Sequence, residues 1–227
     1  MLMKRLLLLV IMFLGYMVPA QDNTLTQSLE KFVELKGFDG ISINLIRSTE
    51  NKAVISGEST DKVAIVNNDG ILKIRMQLTK FFRGYKTFVD LYYTDDIMVI
   101  DVNEDARIVS EGTIIQDILE LKAQEGGEVN VSTEVEQLLI KSVSGGIVKA
   151  TGTSNLQDVQ INTGGVYEGK SLKTKFSTVN VNAGSRAEIY ASEYVKAAVK
   201  AGGEVLVYGN PPKLEEKTVF GGSIKRM

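Results

Sequence analysis

Three sets of residues in this 227-residue chain have types and spacing that could do chemistry. The segment YYTDDIMVIDVNEDAR holds Asp95, Asp96, Asp101, Glu104 and Asp105. Carboxylate oxygens at that density suit calcium. A calcium loop also wants closely spaced carboxylates around a glycine turn, which this segment lacks, so it reads as solvated strand ends with no metal. Glu128 and Glu204 recur at equivalent places in a repeat and invite comparison with glycosidases, which need two carboxylates roughly 5–9 Å apart in a cleft. The segment TKFFRGYKTF sets Phe81, Phe82, Tyr85 and Phe88 among Lys80, Arg83 and Lys86. As an exposed loop, Phe81, Phe82, Arg83, Tyr85, Lys86 and Phe88 would grip a surface glycan, an envelope polymer or a protein partner through ring faces and cation–π contacts. As a hairpin tip, the same aromatics would cover one end of the fold.

The composition removes most other chemistry. The chain has no histidine and no cysteine. Histidine triads, histidine-ligated zinc and thiolate catalysis are therefore excluded, which leaves carboxylate pairs, Ser-Lys arrangements and calcium. No cofactor-binding motif stands out. The formal charge of −2 argues against a nucleic-acid partner, which would require a basic face.

The first twenty residues read as a secretory signal peptide. Lys4 and Arg5 precede the apolar run LLLLVIMFLGYMV, and Val18 and Ala20 stand at the small-residue positions before a cut at Gln21. The rival reading, a membrane anchor, needs about 20 apolar residues. Loss of the leader takes the charge from −2 to −4, since Lys4 and Arg5 go with it. No cysteine near the cut offers a lipid attachment, and no later stretch is apolar enough to span a bilayer. The expected destination is the periplasm, the outer-membrane surface or the medium.

The elements that must position these residues declare themselves through glycine. Gly-Gly pairs begin at Gly126, Gly145, Gly164, Gly202 and Gly221, at intervals of 19, 19, 38 and 19. The long gap has Ala183-Gly184 at its midpoint, so the second glycine falls at 127, 146, 165, 184, 203 and 222. A fixed period of this size means stacked repeats. Apolar residues alternate on both sides of each pair, as in Ile140, Val148 and Ala150, which marks half-buried strands. The pair itself is a corner, where positive φ or a missing Cβ is needed. Val179 and Val181 are slipped by one position, which predicts a bulge there.

These features predict an all-β, single-stranded parallel β-helix of at least six coils. Nineteen residues at ~3.3 Å give a perimeter of about 60 Å, and coils ~4.8 Å apart give a column roughly 24 Å tall. One coil cannot bury enough to stand alone, so stacking must stabilise it. A leucine-rich repeat lacks its L-x-x-L-x-L pattern here, and calcium-binding nonapeptides lack G-G-x-G-x-D.

The expected organisation is a leader (1–20), a polar lead segment (21–36) and one β-helix domain (37–227). Within that domain, residues 37–105 are an irregular β region that covers or continues the N-terminal end, and 106–227 form regular coils. FDGISINLIRS and KAVISGES read as strands around a turn at Glu50-Asn51. KVAIVNNDGILKIRM reads as a hairpin. Pro211-Pro212 marks an irregular loop before TVFGGSIKRM. Lys122, Gln124, Lys141, Gln160 and Asn162 fall on the outside of the column, with no aromatic row expected beside them.

FDGISINL, NNDGILKI, VDLYYTDDIMVIDVNEDARIVSEG and the run of Gly-Gly corners together resemble a bacterial domain family of unknown function, common in Bacteroidetes-type bacteria. It is described as "Putative auto-transporter adhesin, head GIN domain". The resemblance spans about residues 35–225. It implies a parallel β-helix, in agreement with the repeat, and brings no catalytic residue, ligand or partner. The expected function is that of an exported, non-enzymatic binding or structural protein of the cell envelope or surface, adhesin-like in action. The alternatives are a polysaccharide-active enzyme and an envelope sensor or regulator. A cleft with two close carboxylates would favour the enzyme; a face without such a pair would favour binding. Homo-oligomerisation through column ends or flat faces is compatible with this architecture.

Overall fold

A computed structural model describes residues 24–77 and 86–227. The leader and residues 78–85 lie outside the described residues, so the signal-peptide expectation and Phe81, Phe82, Arg83 and Tyr85 do too. Among the described residues, eighteen strands join one continuous sheet wound into a column, and the only helical turn is the 3₁₀ turn Thr60–Lys62. The column is a β-solenoid of about seven turns, as the repeat predicts.

The turns pass through corners with positive φ at both central residues, and the first six of these carry a bond from residue i+3 back to i, as in a type I′ turn. Gly127 N–H, for example, donates to Gln124 C=O at 2.9 Å across Glu125 (φ 52°) and Gly126 (φ 76°). Eight such corners join the strand of one side to that of the next among the described residues: Asp39-Gly40, Glu104-Asp105, Glu125-Gly126, Ser144-Gly145, Thr163-Gly164, Ala183-Gly184, Ala201-Gly202 and Phe220-Gly221. The Gly-Gly pattern therefore missed the first two. It also set one corner a residue out of line. Gly184, at φ 67°, occupies the place of the first glycine, and Ser185 stands where the second would be.

The two glycines of a pair answer different needs. The first takes the positive φ, and at Gly145 a side chain would meet nothing within 4 Å. The second lies against the coil before it: a Cβ on Gly146 would stand 2.2 Å from the Ala123 carbonyl oxygen.

Three sides close each coil. One side, ahead of the corner, stacks parallel strands β6 (Ile71–Met76), β2 (Glu34–Gly37), β8 (Val99–Val102) and the second halves of β9 (Arg107–Ala123), β10 (Glu128–Ser142) and β11 (Ile147–Ile161). It continues through β13 (Leu172–Asn182), β15 (Tyr194–Lys200) and β17 (Lys213–Val219). The side after the corner stacks β7 (Thr87–Tyr93), β3 (Ser42–Arg47) and the first halves of β9 to β11, then β12 (Val166–Gly169), β14 (Arg186–Tyr190), β16 (Glu204–Tyr208) and β18 (Ser223–Arg226). The third side is the bent middle of the long strands. Along β10, Val129, Val131, Thr133 and Val135 point inward, then Leu138, Ile140 and Ser142. That change of parity at Glu136-Gln137 turns the chain.

The slip expected as a bulge at Val179 and Val181 has another origin. Offsets between coils are 19 from Thr113↔Ser132 to Lys149↔Glu168, 20 from Gly152↔Leu172, 18 from Phe176↔Tyr194, and 19 again from Tyr194↔Lys213. The extra residue sits in the turn at Lys170-Ser171, and the strand holding Val179 and Val181 then runs in even register with both neighbours. A bulge does occur where β9 meets β10, between Asn130 and Ser132.

The N-terminal part continues the column and closes its end. β2 lies between β6 and β8, and β3 between β7 and β9, all parallel. The strands read as flanking Glu50-Asn51, β3 and β4 (Lys52–Gly57), do not pair with each other; β7 runs between them, antiparallel to β4. β1 (Leu25–Ser28) pairs antiparallel with β4, and β5 (Val63–Asn68) forms the expected hairpin with β6. Antiparallel strands thus cover the open edge that a solenoid end would otherwise present. The segment 21–36, read as a polar lead, holds β1 and most of β2, with Phe32 and Leu35 buried.

Inside, each coil contributes one layer to a continuous core. Complete burial of one Val or Ile side chain stabilises by about 2 kcal/mol. Layers trade volume along the column. Val148 and Ala150 are followed by Tyr167 and Gly169, then by Ala187 and Ile189. Tyr167 is fully buried, and burial pushes its hydroxyl pKa far up, so it remains a donor. It donates to Gln157 Oε1 at 3.0 Å, and Gln157 Nε2 donates to Thr174 Oγ1 and to the Tyr190 carbonyl, both at 2.9 Å. These bonds satisfy polar groups that would be costly to bury alone.

Candidate functional site

The outward residues of the two flat sides neutralise one another along the column. After the corner, Arg107 pairs with Glu128 at 3.0 Å and Lys149 with Glu128 at 3.1 Å. Further along, Arg186 reaches Glu188 at 2.8 Å and Glu204 at 3.6 Å, and Lys225 reaches Glu204 at 2.7 Å. Lys225 thereby holds the Glu204 carboxyl below its ordinary value. Glu128 and Glu204 are therefore members of ion-pair ladders four coils apart, roughly 19 Å, and cannot form a catalytic pair. Before the corner, Glu120 is shared by Lys122 and Lys141, at 3.2 and 2.8 Å.

The acidic segment is similarly occupied. Asp95 pairs with Lys31 at 3.3 Å, Asp96 with Arg47 at 3.2 Å, and Asp101 with Lys36 at 3.2 Å. Glu104 and Asp105 form a corner instead. Glu104 shares a hydrogen bond with the Asp39 carboxyl, which together with burial and the charge of Asp39 raises its pKa. Among the described residues no group of three potential ligands is placed to hold a metal.

The third side differs. Its bent strands leave a groove of about 550 Å³ that crosses five coils, within the size range of small-molecule sites. Its floor is made by Val135, Ser154 and Thr174, which the change of parity places at the bend. At one end stand Asp117, Glu134 and Glu136; at the other, Lys173 and Lys175. All five are exposed, and no ion pair joins any of them to another among the described residues. Glu136 accepts a bond from Asn155, and Lys173 Nζ lies 3.8 Å above the Tyr190 ring centroid.

An exposed apolar row borders this groove. Register pairs run Ile118↔Gln137↔Leu156↔Phe176↔Tyr194, and Ile118, Leu156 and Phe176 are 39%, 46% and 38% exposed. Ile115, at 65%, lies on the groove wall. Phe176 and Tyr194 are the two aromatic members of this row. The row escapes the sequence because Gln137 interrupts it and because the offsets 20 and 18 around Phe176 break the 19-residue count.

Of the aromatic and basic segment, the described members are Lys86 and Phe88. Lys86 pairs with Glu58 at 3.2 Å. Phe88, 46% exposed, lines a separate hollow of about 260 Å³ with Asn44, Asp90 and Arg107 on the side after the corner. The structure does not bring it to the groove.

A sequence model of the family described as "Putative auto-transporter adhesin, head GIN domain" matches residues 31–211. No curated protein matches the chain. Among solved structures, a protein from Bacteroides fragilis described as a "putative adhesin" superposes with a TM-score of 0.83 at 18% identity, over 92% of this chain and 98% of that one. A "putative adhesin" from Parabacteroides distasonis gives 0.74 at 16% identity, with the same coverage. A "putative lipid binding protein" from the same organism gives 0.70 at 12%, again over 92% and 98%. At these identities the likeness is one of fold. No helix among the described residues is long and apolar enough to cross a membrane.

Proposed function

We propose, since the chain belongs to the "Putative auto-transporter adhesin, head GIN domain" family, that it is an exported, non-enzymatic, adhesin-like protein of the cell envelope or surface. Its contact surface is the third side of the column. The observation behind this reading is the contrast between surfaces: the flat sides pair many of their charges within the molecule, whereas the groove presents charges without ion-pair partners among the described residues, beside an exposed apolar row. Exposed apolar surface rimmed by polar groups is what interaction sites have in common. A stacked sheet with its edge closed at one end is rigid, so little ordering cost would be incurred on contact.

The test is a binding screen of the mature chain against glycans, envelope polymers and envelope proteins. Leu156→Ser with Phe176→Ser, both outward-facing, should weaken the strongest interaction by at least about tenfold while circular dichroism stays unchanged. Replacement of Phe81, Phe82 and Tyr85 together tests the rival surface. Binding that depends on that triple variant and ignores the groove pair would move the contact site there. N-terminal sequencing of the exported protein should begin at Gln21.

One observation favours a second reading. Asp117 and Glu136 stand at matching positions on adjacent coils, between the register pairs Gln116↔Val135 and Ile118↔Gln137, and both line the cleft. A hydrolase of acidic or neutral polysaccharides would use such a pair. Its general acid needs a low-dielectric setting, and both residues are exposed. Release of reducing ends that is abolished by Glu136→Gln would establish the enzyme.

A further inference from the structure

The groove has a polarity that its role as a contact surface does not require. Its acidic end is formed by Asp117 on β9 and by Glu134 and Glu136 on β10; its basic end by Lys173 and Lys175 on β13. Glu134 and Lys173 lie two coils apart, and Asp117 and Lys175 three, so the opposite charges are separated by roughly 10–14 Å along the column. The floor runs from Val135 on the acidic coil through Ser154 to Thr174 on the basic coil, with Ile115 on one wall and Leu156 and Phe176 bordering the other. The long axis of the groove crosses the strands, whose backbones pair with neighbouring coils on both sides of the bend, the register skipping only Glu136, Asn155 and Lys175 there. No free sheet edge is offered there, so an occupant cannot add as a strand and must be recognised by its side chains.

We propose that the groove takes an extended peptide laid along the column, with a cationic side chain over Asp117, Glu134 and Glu136 and an anionic one over Lys173 and Lys175. This rests on the reading of the third side as the contact surface and specifies what is contacted. An extended chain advances about 3.3 Å per residue, so the two charges should be about three to four residues apart. Apolar residues between them meet the Ile115, Leu156 and Phe176 rim. A sugar polymer fits less well: the Tyr190 ring, which would be the stacking platform within the groove, has the Lys173 ammonium over it, and a uniformly acidic chain would meet the three carboxylates at one end.

The experiment uses the mature chain and two capped, fluorescein-labelled isomeric pentapeptides, Lys-Leu-Ala-Val-Glu and Leu-Lys-Glu-Ala-Val, with an oligouronate as a third probe. By fluorescence anisotropy the first peptide should bind at least about tenfold more tightly than the second, and added salt should weaken it. The paired variants Lys173→Ala with Lys175→Ala and Glu134→Gln with Glu136→Gln should each remove that preference; all four sites are exposed, and circular dichroism checks the fold. Equal affinity for the isomers, a preference that survives either paired variant, or binding of the oligouronate alone would overturn the proposal. If the Leu156 and Phe176 substitutions still abolish some other interaction, only the peptide assignment fails. If they abolish none, the contact surface itself is misplaced.

Discussion

The ring of Tyr167 lies over Gly169, so close that a Cβ at position 169 would stand 2.3 Å from both its Cζ and its Oη. The two residues face inward from the same strand, and together they fill one layer: the missing side chain at 169 makes room for the ring. Gly169→Ala should therefore cost about 1–3 kcal/mol through overpacking. Tyr167→Leu in that background should recover part of the loss, a coupling that a double-mutant cycle in urea would measure. Additive losses would mean that the ring and position 169 do not compete for space. Tyr167→Phe alone leaves Gln157 Oε1 without its donor and should cost about 1–3 kcal/mol.

Adjacent glycines at one corner should differ in tolerance. Gly145→Asn keeps the left-handed conformation in open space and should cost about 1 kcal/mol or less. Gly146→Ala drives a Cβ into the Ala123 carbonyl, part of the neighbouring coil's backbone, and should cost about 3 kcal/mol or more. Chemical denaturation of both variants makes the comparison; equal costs would contradict the close approach.

The Asp39 and Glu104 carboxyls share a hydrogen bond at the first two corners of the column, and Glu104 is raised above its ordinary 4.5. A carboxyl raised in the folded state contributes stability that is fully present below the unfolded pKa and is lost as pH rises through the folded pKa. Asp39→Asn removes the like charge, and Asn accepts the positive φ of that position. The variant should match the wild type in Tm near pH 4 and exceed it by about 1 °C at pH 7.5. Calorimetry showing the same difference at both pH values would rule the pair out as its source.

In β17 the residue at the inward position opposite buried Ala197 is Glu216, which is exposed. An inward-directed charge on an edge strand discourages pairing with another sheet. Glu216→Val should raise the mass found by light scattering at high protein concentration. An unchanged mass would show that other features keep that edge apart.

The column was legible because its corners impose a chemical demand: Gly126, Gly145, Gly164, Gly202 and Gly221 take positive φ, and most of the residues after them press against backbone. Where the demand is met without a pair of glycines, as at Asp39-Gly40 and Glu104-Asp105, the sign disappears. The one-residue turn insertion at Lys170-Ser171 looks like a strand defect in the sequence, because only spacing, not pairing, can be counted there. The groove was not legible at all. It arises where inward parity changes, so neither a period of two nor one of nineteen marks Asp117, Glu134 or Lys173. The pairing of β3 with β7 and not with β4 depends on residues more than forty positions apart, which no local pattern records.

The strands at 34–37 and 42–47 are each held between two others that come later in the chain, as far as β9. The first turn of the column therefore cannot be sealed while the polypeptide is being made in order; it must wait, with Leu35, Ile43 and Leu45 uncovered, until residues up to about 110 have emerged. Completion of this molecule is thus delayed at the end synthesised first, and a chain interrupted before that point would keep its earliest apolar strands open to capture by a chaperone.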